Sequence, residues 1–227
     1  VRERILERAL DLFNDRGLEY VGVRELARDL GVKGGNVTYH FPTKDHLVSG
    51  LVERFEIAGA GVPGLPEEVS LLGLMKVLEA RFRLNYRYRC LFVSLPMLLR
   101  NHPDLSGPLS ASAIEMRRMD LIGYLERLRS DRLLDPALSL RQKERVATLL
   151  SWAERSWVVD AGVAFGDRDP GWCVAHYLRM LSEHLLGLAT PRGRAELRRF
   201  EGELRMAKRG IESGTPSTLS EPMSPGD

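Results

Sequence analysis

The 227-residue sequence predicts an all-α protein, with a small N-terminal three-helix unit followed by a larger helical remainder. Apolar residues recur at helical spacing through nearly the whole chain. Two short amphipathic stretches near the N-terminus are joined by a Gly-containing turn, as at the start of a helix-turn-helix. The single nearby stretch with strand-like alternation has no convincing partner strand, and a lone strand is not stable.

Residues 2–16 place Ile5, Ala9, Leu12 and Phe13 on one face, with Leu6 and Leu10 beside them and charged residues opposite. Gly17 is positioned to cap this helix. A second helix runs from Val23 to Leu30 and closes at Gly31. The stretch Lys33 to Lys44 is ambiguous locally. Val37, Tyr39 and Phe41 alternate with Thr38 and His40, and Gly34-Gly35-Asn36 in front reads as a turn. Val37 and Phe41 also stand four apart, enough to pin one helical turn onto the first two helices. Pro42 stops that helix, and Thr43 caps a fourth, from Lys44 to about Ala58.

Gly59 to Pro66 is the clearest break in the chain. Beyond it, helices are predicted near 67–89, 91–100, 105–130, 139–165 and 171–188, with an amphipathic segment near 192–209. Asn101-His102-Pro103, Asp135-Pro136 and the run from Asp167 to Gly171 punctuate them. Ser156 to Val159 is locally strand-like but lies within a helical pattern. From Gly210 the tail has little to bury, which predicts disorder over 210–227. The expected organisation is 1–48 for the three-helix unit, with the helix-turn-helix at about 22–41. A connecting helix and linker occupy 49–66, and a helical domain occupies 67–209.

The formal net charge of +2 points to no partner by itself. No run approaches the ~18 apolar residues of a membrane span, and Val1-Arg2-Glu3-Arg4 lacks a signal-peptide apolar region. Cys90 and Cys173 make neither a disulfide framework nor a metal-ligand spacing. Buried free thiols in a reducing, cytoplasmic setting are expected. His102, His176 and His184 lack metal-ligand spacing, and no metal or cofactor is expected.

Residues 2–55 resemble the N-terminal domain of the tetracycline-repressor (TetR) family of bacterial regulators. The residues that carry this are Ala9 and Phe13, Gly17, Val23-Arg24-Glu25-Leu26-Ala27 and Leu30-Gly31-Val32. The set ends with Tyr39-His40-Phe41, Lys44-Asp45 and Leu47. The resemblance covers about a quarter of the chain. It implies a helix-turn-helix DNA-binding domain followed by a ligand-binding and dimerisation domain. The implied protein is a cytoplasmic homodimeric repressor that binds a palindromic double-stranded operator and is released by a small-molecule effector.

The residues make physical sense without the family. Lys33 and Lys44 sit at helix starts, where a cation is unfavourable for the isolated fold but a phosphate is attracted. The alternative for each is a merely solvated lysine. Gly34, Gly35, Asn36 and Thr38 are poor helix formers. Small residues at a helix start permit close approach to a groove. Asn36 can offer a donor and an acceptor to adenine, and the Thr38 methyl can meet a thymine methyl. The alternative is a connector whose glycines only make the turn. By resemblance, Tyr39 and His40 match a phosphate-contacting pair, and Arg24 matches a position that reads guanine in some members. Arg24 could instead pair with Asp29 or Glu25.

Three departures from the family pattern stand out. Gly22 lacks the usual capping hydroxyl, Lys33 replaces a small polar residue, and Thr38 replaces a common aromatic. Residues 1–54 hold nine Lys+Arg against nine Asp+Glu, so a positive surface must come from arrangement.

In the remainder, the resemblance implies that helices near 143–164 and 171–188 pair with their copies. Trp152, Trp157 and Trp172 are expected in the core or at that interface. The run Arg81 to Arg89 reads as a solvated basic helix, or as one turning an arginine inward to an anionic effector. The segment 192–209 reads as a solvated amphipathic helix. Effector-pocket residues are not assignable from the sequence. Other classes fit less well. The sequence holds no phosphate loop, Gly-x-Ser-x-Gly elbow, HExxH or paired Cys/His in plausible context, which leaves a small enzyme without a recognisable site. An all-helical adaptor using the 81–89 face remains as an alternative.

Overall fold

A computed structural model describes residues 1–101, 109–166 and 168–212. Eleven helices make up its regular structure among these residues: α1 (Arg2–Arg16), α2 (Val23–Asp29), α3 (Gly34–His40), α4 (Lys44–Ala60), α5 (Leu71–Arg87), α6 (Arg89–Val93), α7 (Leu95–Asn101), α8 (Ala111–Ser130), α9 (Leu140–Ala164), α10 (Pro170–Leu186) and α11 (Pro191–Glu212).

The first three helices form as the periodicity requires. α1 buries Ile5, Leu6, Ala9, Leu10, Leu12 and Phe13 and ends at Gly17, whose N–H donates to the Phe13 carbonyl. α2 ends in a turn where Gly31 takes φ +67. There the Gly31 N–H donates to Arg28 O (3.1 Å) and Val32 N–H to Ala27 O (3.0 Å). A residue with a side chain resists that left-handed backbone. The turn aims α3 across α2, and Val37 (0% exposed) and Phe41 (2%) pin α3 to the shared core. The strand-like alternation of 37–41 thus resolves as helix. Thr43 caps α4 by accepting from the His46 N–H. α4 is continuous through Ala60, so the expected boundary at 48 falls inside one helix.

Several predicted bounds move. The helix expected from 67 begins at Leu71. Ser70 caps it, and the Glu196 carboxylate of α11 accepts from both Leu71 N–H (2.7 Å) and Leu72 N–H (3.2 Å). The helix expected over 91–100 divides at Ser94 into the end of α6 and the start of α7. Pro96 explains the division: its ring clashes with the carbonyl four residues back and offers no N–H. The helix expected from 105 begins at Ala111, capped by Ser110, while 105–108 lie outside the described residues, as do His102, Pro103 and Asp167. Ser139 and Gln142 form a capping box on α9, and Asp169 with Pro170 starts α10. α11 runs to Glu212, past the Gly210 at which disorder was expected to begin. Its buried Leu197 and Phe200 hold the helix against α5 and α10, and residues 213–227 lie outside the described residues.

α5 is the central element of the larger part, packing against α9, α10 and α11 and also against α4 and α6. The core of this part includes Leu74, Leu78, Phe82 and Trp157, with the Phe82 and Trp157 rings stacked at 5.2 Å. Cys90 and Cys173 are buried free thiols. Burial pushes the Cys90 thiol up to about 12, so it stays protonated.

Candidate nucleic-acid interface

α1 disposes of the acidic side chains of α2. Arg8 Nη2 donates to Asp29 Oδ1 (3.0 Å), and Arg16 Nη1 donates to Glu25 Oε1 (2.6 Å). The Arg8 hydrogen bond holds the Asp29 carboxyl below its usual range, against a smaller opposing effect of burial. Both carboxylates that could have paired with Arg24 are therefore committed to α1. Arg24 itself is exposed and has no hydrogen-bond or ion-pair partner among the described residues.

The outer face of α3 is similarly uncommitted. Gly34, Gly35, Asn36, Thr38 and Tyr39 are all exposed, Tyr39 to 83%. Neither glycine has positive φ, so neither is required by the turn. Nothing lies within 4 Å of where a Cβ would stand on either. What these glycines provide is a thin, open helix start. Thr38 Oγ1 folds back onto the carbonyls of Gly34 (3.2 Å) and Gly35 (3.3 Å), which leaves its methyl as the group without a polar commitment. Lys33 is the exposed N-cap residue of α3. The rings of Tyr39 and His40 meet edge-on at 5.0 Å.

Lys44 is placed differently from Lys33. It is half-buried, and its Nζ donates to the Glu19 carbonyl (3.0 Å) in the α1–α2 loop. Burial lowers its pKa, with Glu19 and Asp45 opposing. The ammonium thus braces the α1–α2 loop from the first turn of α4.

No sequence pattern marks the junction on the far side of this unit. Asn14, in the last turn of α1, donates to Arg87 O (2.8 Å) and accepts from Cys90 N–H (3.0 Å), bridging the α5–α6 break. Ser94 Oγ, buried at the α6–α7 break, donates to Glu19 Oε1 (2.8 Å). Glu19 therefore touches Ser94 through its side chain and Lys44 through its main chain. Glu7 receives Arg54 (2.6 Å) and Arg87 (3.2 Å), which adds a further link between α1 and α5. A polar residue in a helical pattern carries no sequence signal for such a bridge.

In the basic run 81–89, Arg83 and Arg87 stay exposed, as the solvated reading expects, while one arginine turns inward, as the alternative expects. Arg83 pairs with Glu79, Arg87 with Glu7, and Arg89 lies over the Tyr86 ring. Arg81 turns inward to Glu154 (3.5 Å). The segment 192–209 is amphipathic as expected, with a buried apolar face and an ion pair across to α5, Lys76–Glu203 (2.6 Å). On α9, Trp152, Val159 and Val163 form an exposed apolar stripe at helical spacing, 58%, 41% and 86% exposed. Met180 on α10 is 52% exposed beside it, and a 360 Å³ groove runs between the two helices. Trp157 lies in the core and Trp172 is half-buried against His176. Among the described residues, no His, Cys, Asp or Glu group is arranged to hold a metal ion, and no helix is long and apolar enough to cross a membrane.

A short helix held crosswise on a three-helix platform, with a polar, uncommitted outer face, defines a helix-turn-helix nucleic-acid binder. Comparison with known proteins agrees. The family described as "Bacterial regulatory proteins, tetR family" matches residues 5–51, and "Bacterial transcriptional repressor" of the TetR type matches residues 62–196. The chain belongs to the TetR family of DNA-binding transcriptional regulators and is not an enzyme.

Among its relatives, the transcriptional repressor KstR2 of Mycolicibacterium smegmatis is 33% identical over 54 residues, 24% of this chain and 26% of that protein. The chain thus aligns with only about a quarter of that curated relative's length. A TetR-family regulator from Marinobacter aquaeolei superposes with a TM-score of 0.77 at 18% identity, covering 90% of this chain and 98% of that one. KstR2 of Mycobacterium tuberculosis, described as a ketosteroid transcriptional regulator, superposes at 0.59 with 18% identity, covering 83% and 95%. At these identities the structural likenesses establish the shared fold.

Proposed function

We propose that the chain acts as a homodimeric repressor whose two α3 helices enter successive major grooves of a palindromic operator, and that a small molecule bound in the larger part releases it. The observation that carries this is the α2–α3 face. Arg24, Lys33 and Asn36 stand exposed there with their donors uncommitted, while the neighbouring carboxylates are turned away to α1. Arg and Asn are the side chains best matched to guanine and adenine edges, and Lys33 at a helix start suits a phosphate.

Assembly into a dimer is supported by the α9 stripe and Met180. A single chain leaves that apolar surface in water, and a second copy covers it in a four-helix arrangement. Release is supported by the junction. An effector that favours a displaced α6–α7 break pulls on Glu19, and through it on Lys44 and the α1–α2 loop. It shifts the DNA-binding equilibrium only as far as its affinities for the two states differ.

The test combines light scattering with fluorescence anisotropy on a duplex recovered by in vitro selection with the purified protein. A dimer in solution that binds one duplex with a steep salt dependence is expected. A monomer at micromolar concentration rules out the paired-helix arrangement.

A further inference from the structure

Two clefts meet in the larger part of the molecule. The larger, 460 Å³, lies between α5 and α8 beneath the loop that carries Gly64 and Leu65. Its walls are largely aliphatic, including Leu74, Val77, Leu78 and Leu121. The smaller, 310 Å³, reaches toward α4 and includes Phe55, Glu56 and Glu154. Arg81 of α5 and Arg117 of α8 line both.

Arg81 is the telling residue. Its side chain is 23% exposed, yet its five N–H donors have one contact among the described residues, the Glu154 carboxylate at 3.5 Å. Glu154 is itself buried and lies on the small-cleft side. Asn85 fixes the local backbone by donating to Glu154 O (2.8 Å), and Arg155 is turned to Ser151 (2.8 Å). The larger cleft is lined by three arginines, Arg81, Arg117 and Arg127, and by Asp120; Arg127 donates to the Glu67 carbonyl and lies over the Tyr124 ring. Burial lowers the Arg117 pKa, Glu154 opposes that, and Arg81 and Arg155 add to it. Arg81 and Arg117 thus stand together where the two clefts meet, with the Glu154 carboxylate facing both, and an added anion there would ease the repulsion between them.

We propose that this cleft binds an amphipathic carboxylate, its aliphatic body against α5 and α8 and its carboxylate bridging Arg81 and Arg117. The planar fork of Arg81 matches a carboxylate bidentately, and the volume is that of a small-molecule site. The inference rests on the effector-responsive reading for its biological meaning. The binding site itself stands or falls separately.

The probe is decanoate, compared with decan-1-ol of the same chain length, in calorimetric titration and thermal-shift measurements on the full chain. Decanoate is expected to bind and raise Tm, and decan-1-ol to bind more weakly. Arg81→Gln should weaken decanoate roughly tenfold or more while leaving decan-1-ol unchanged. Arg81→Lys, which keeps the charge but loses the fork, should fall between. Failure of decanoate to bind, equal binding of the alcohol, or an unchanged decanoate affinity in Arg81→Gln overturns the proposal. Should Arg81→Gln not fold, the acid–alcohol comparison on the native chain and the Arg81→Lys titration decide. Anisotropy on the selected duplex separates the two claims. Decanoate that binds without changing DNA affinity leaves the site standing and removes it as the switch. Release by the alcohol with decanoate inert leaves the switch standing and removes the carboxylate site.

Discussion

Gly35 separates the two roles a residue in α3 can have. It has ordinary helical backbone, no neighbour within 4 Å of its missing Cβ, and an exposed position. Gly35→Ala should therefore stabilise the free protein by about 0.5–1 kcal/mol through helix propensity while weakening DNA binding, because the added methyl would stand in the way of the proposed close approach to the groove. Denaturant melts and anisotropy on one preparation check both signs. Unchanged affinity would remove the close-approach role. Lys33→Ala and Lys44→Ala form a second pair. Lys33 has no partner among the described residues, so its loss should lower the slope of log K against log[salt] by about one phosphate's worth. Lys44 also holds the Glu19 carbonyl, so its loss should lower both the slope and Tm. A Tm effect with an unchanged slope would assign Lys44 to bracing alone. That small residues and lysines stand at helix starts here was legible in the sequence, and their contact with DNA is what these variants test. Their commitments were not legible. Arg24 could be left open to pairing with Asp29 or Glu25 because nothing in a one-dimensional pattern says that Arg8 and Arg16 reach those carboxylates first.

At the scale of elements, periodicity and caps located most helices, and the exceptions have local causes. Residues 37–41 alternate like a strand yet fold as a helix because Val37 and Phe41 have a hydrophobic platform to meet and no neighbouring strand. The α6–α7 break was missed although Pro96 marks it. The α11 start is fixed by contact: a Cβ on Gly193 would stand 2.1 Å from the Leu133 carbonyl oxygen. Gly193→Ala should cost about 1–3 kcal/mol, read by urea denaturation, and a neutral effect would mean that α11 can shift without loss. The α8–α9 pairing supplies a pH signature. Arg129 (2.5 Å), then Lys143, hold the Glu126 carboxyl down to about 2, below its ordinary 4.5. A depressed folded-state pKa contributes stability above the unfolded value and loses it as pH falls through the folded one. Stability from this carboxylate should fade between about pH 4.5 and about pH 2, and Glu126→Gln should flatten acid melts across that window. An unaltered acid slope would place the titration elsewhere.

For the whole molecule, the sequence carried the fold class, the DNA-facing unit and family membership, because those depend on patterns within some forty residues. The junction and the clefts were illegible because they join residues far apart in sequence, such as Glu19 with Ser94 and Arg81 with Arg117. The proposed dimer rests on the same long-range geometry, since the α9 stripe becomes a liability only when its neighbours leave it uncovered. Val163→Glu, at the most exposed point of that stripe, should shift light scattering from dimer toward monomer and cut DNA affinity with it, whereas a persistent dimer would move the interface elsewhere. The most direct measurement is the DNA motif enriched by the full chain in repeated in vitro selection. Two inverted half-sites centred about one helical turn apart, near 34–36 Å or a multiple of it, are expected from paired α3 helices. A single asymmetric half-site, or no enrichment over random duplexes, would contradict a homodimer that reads DNA through α3.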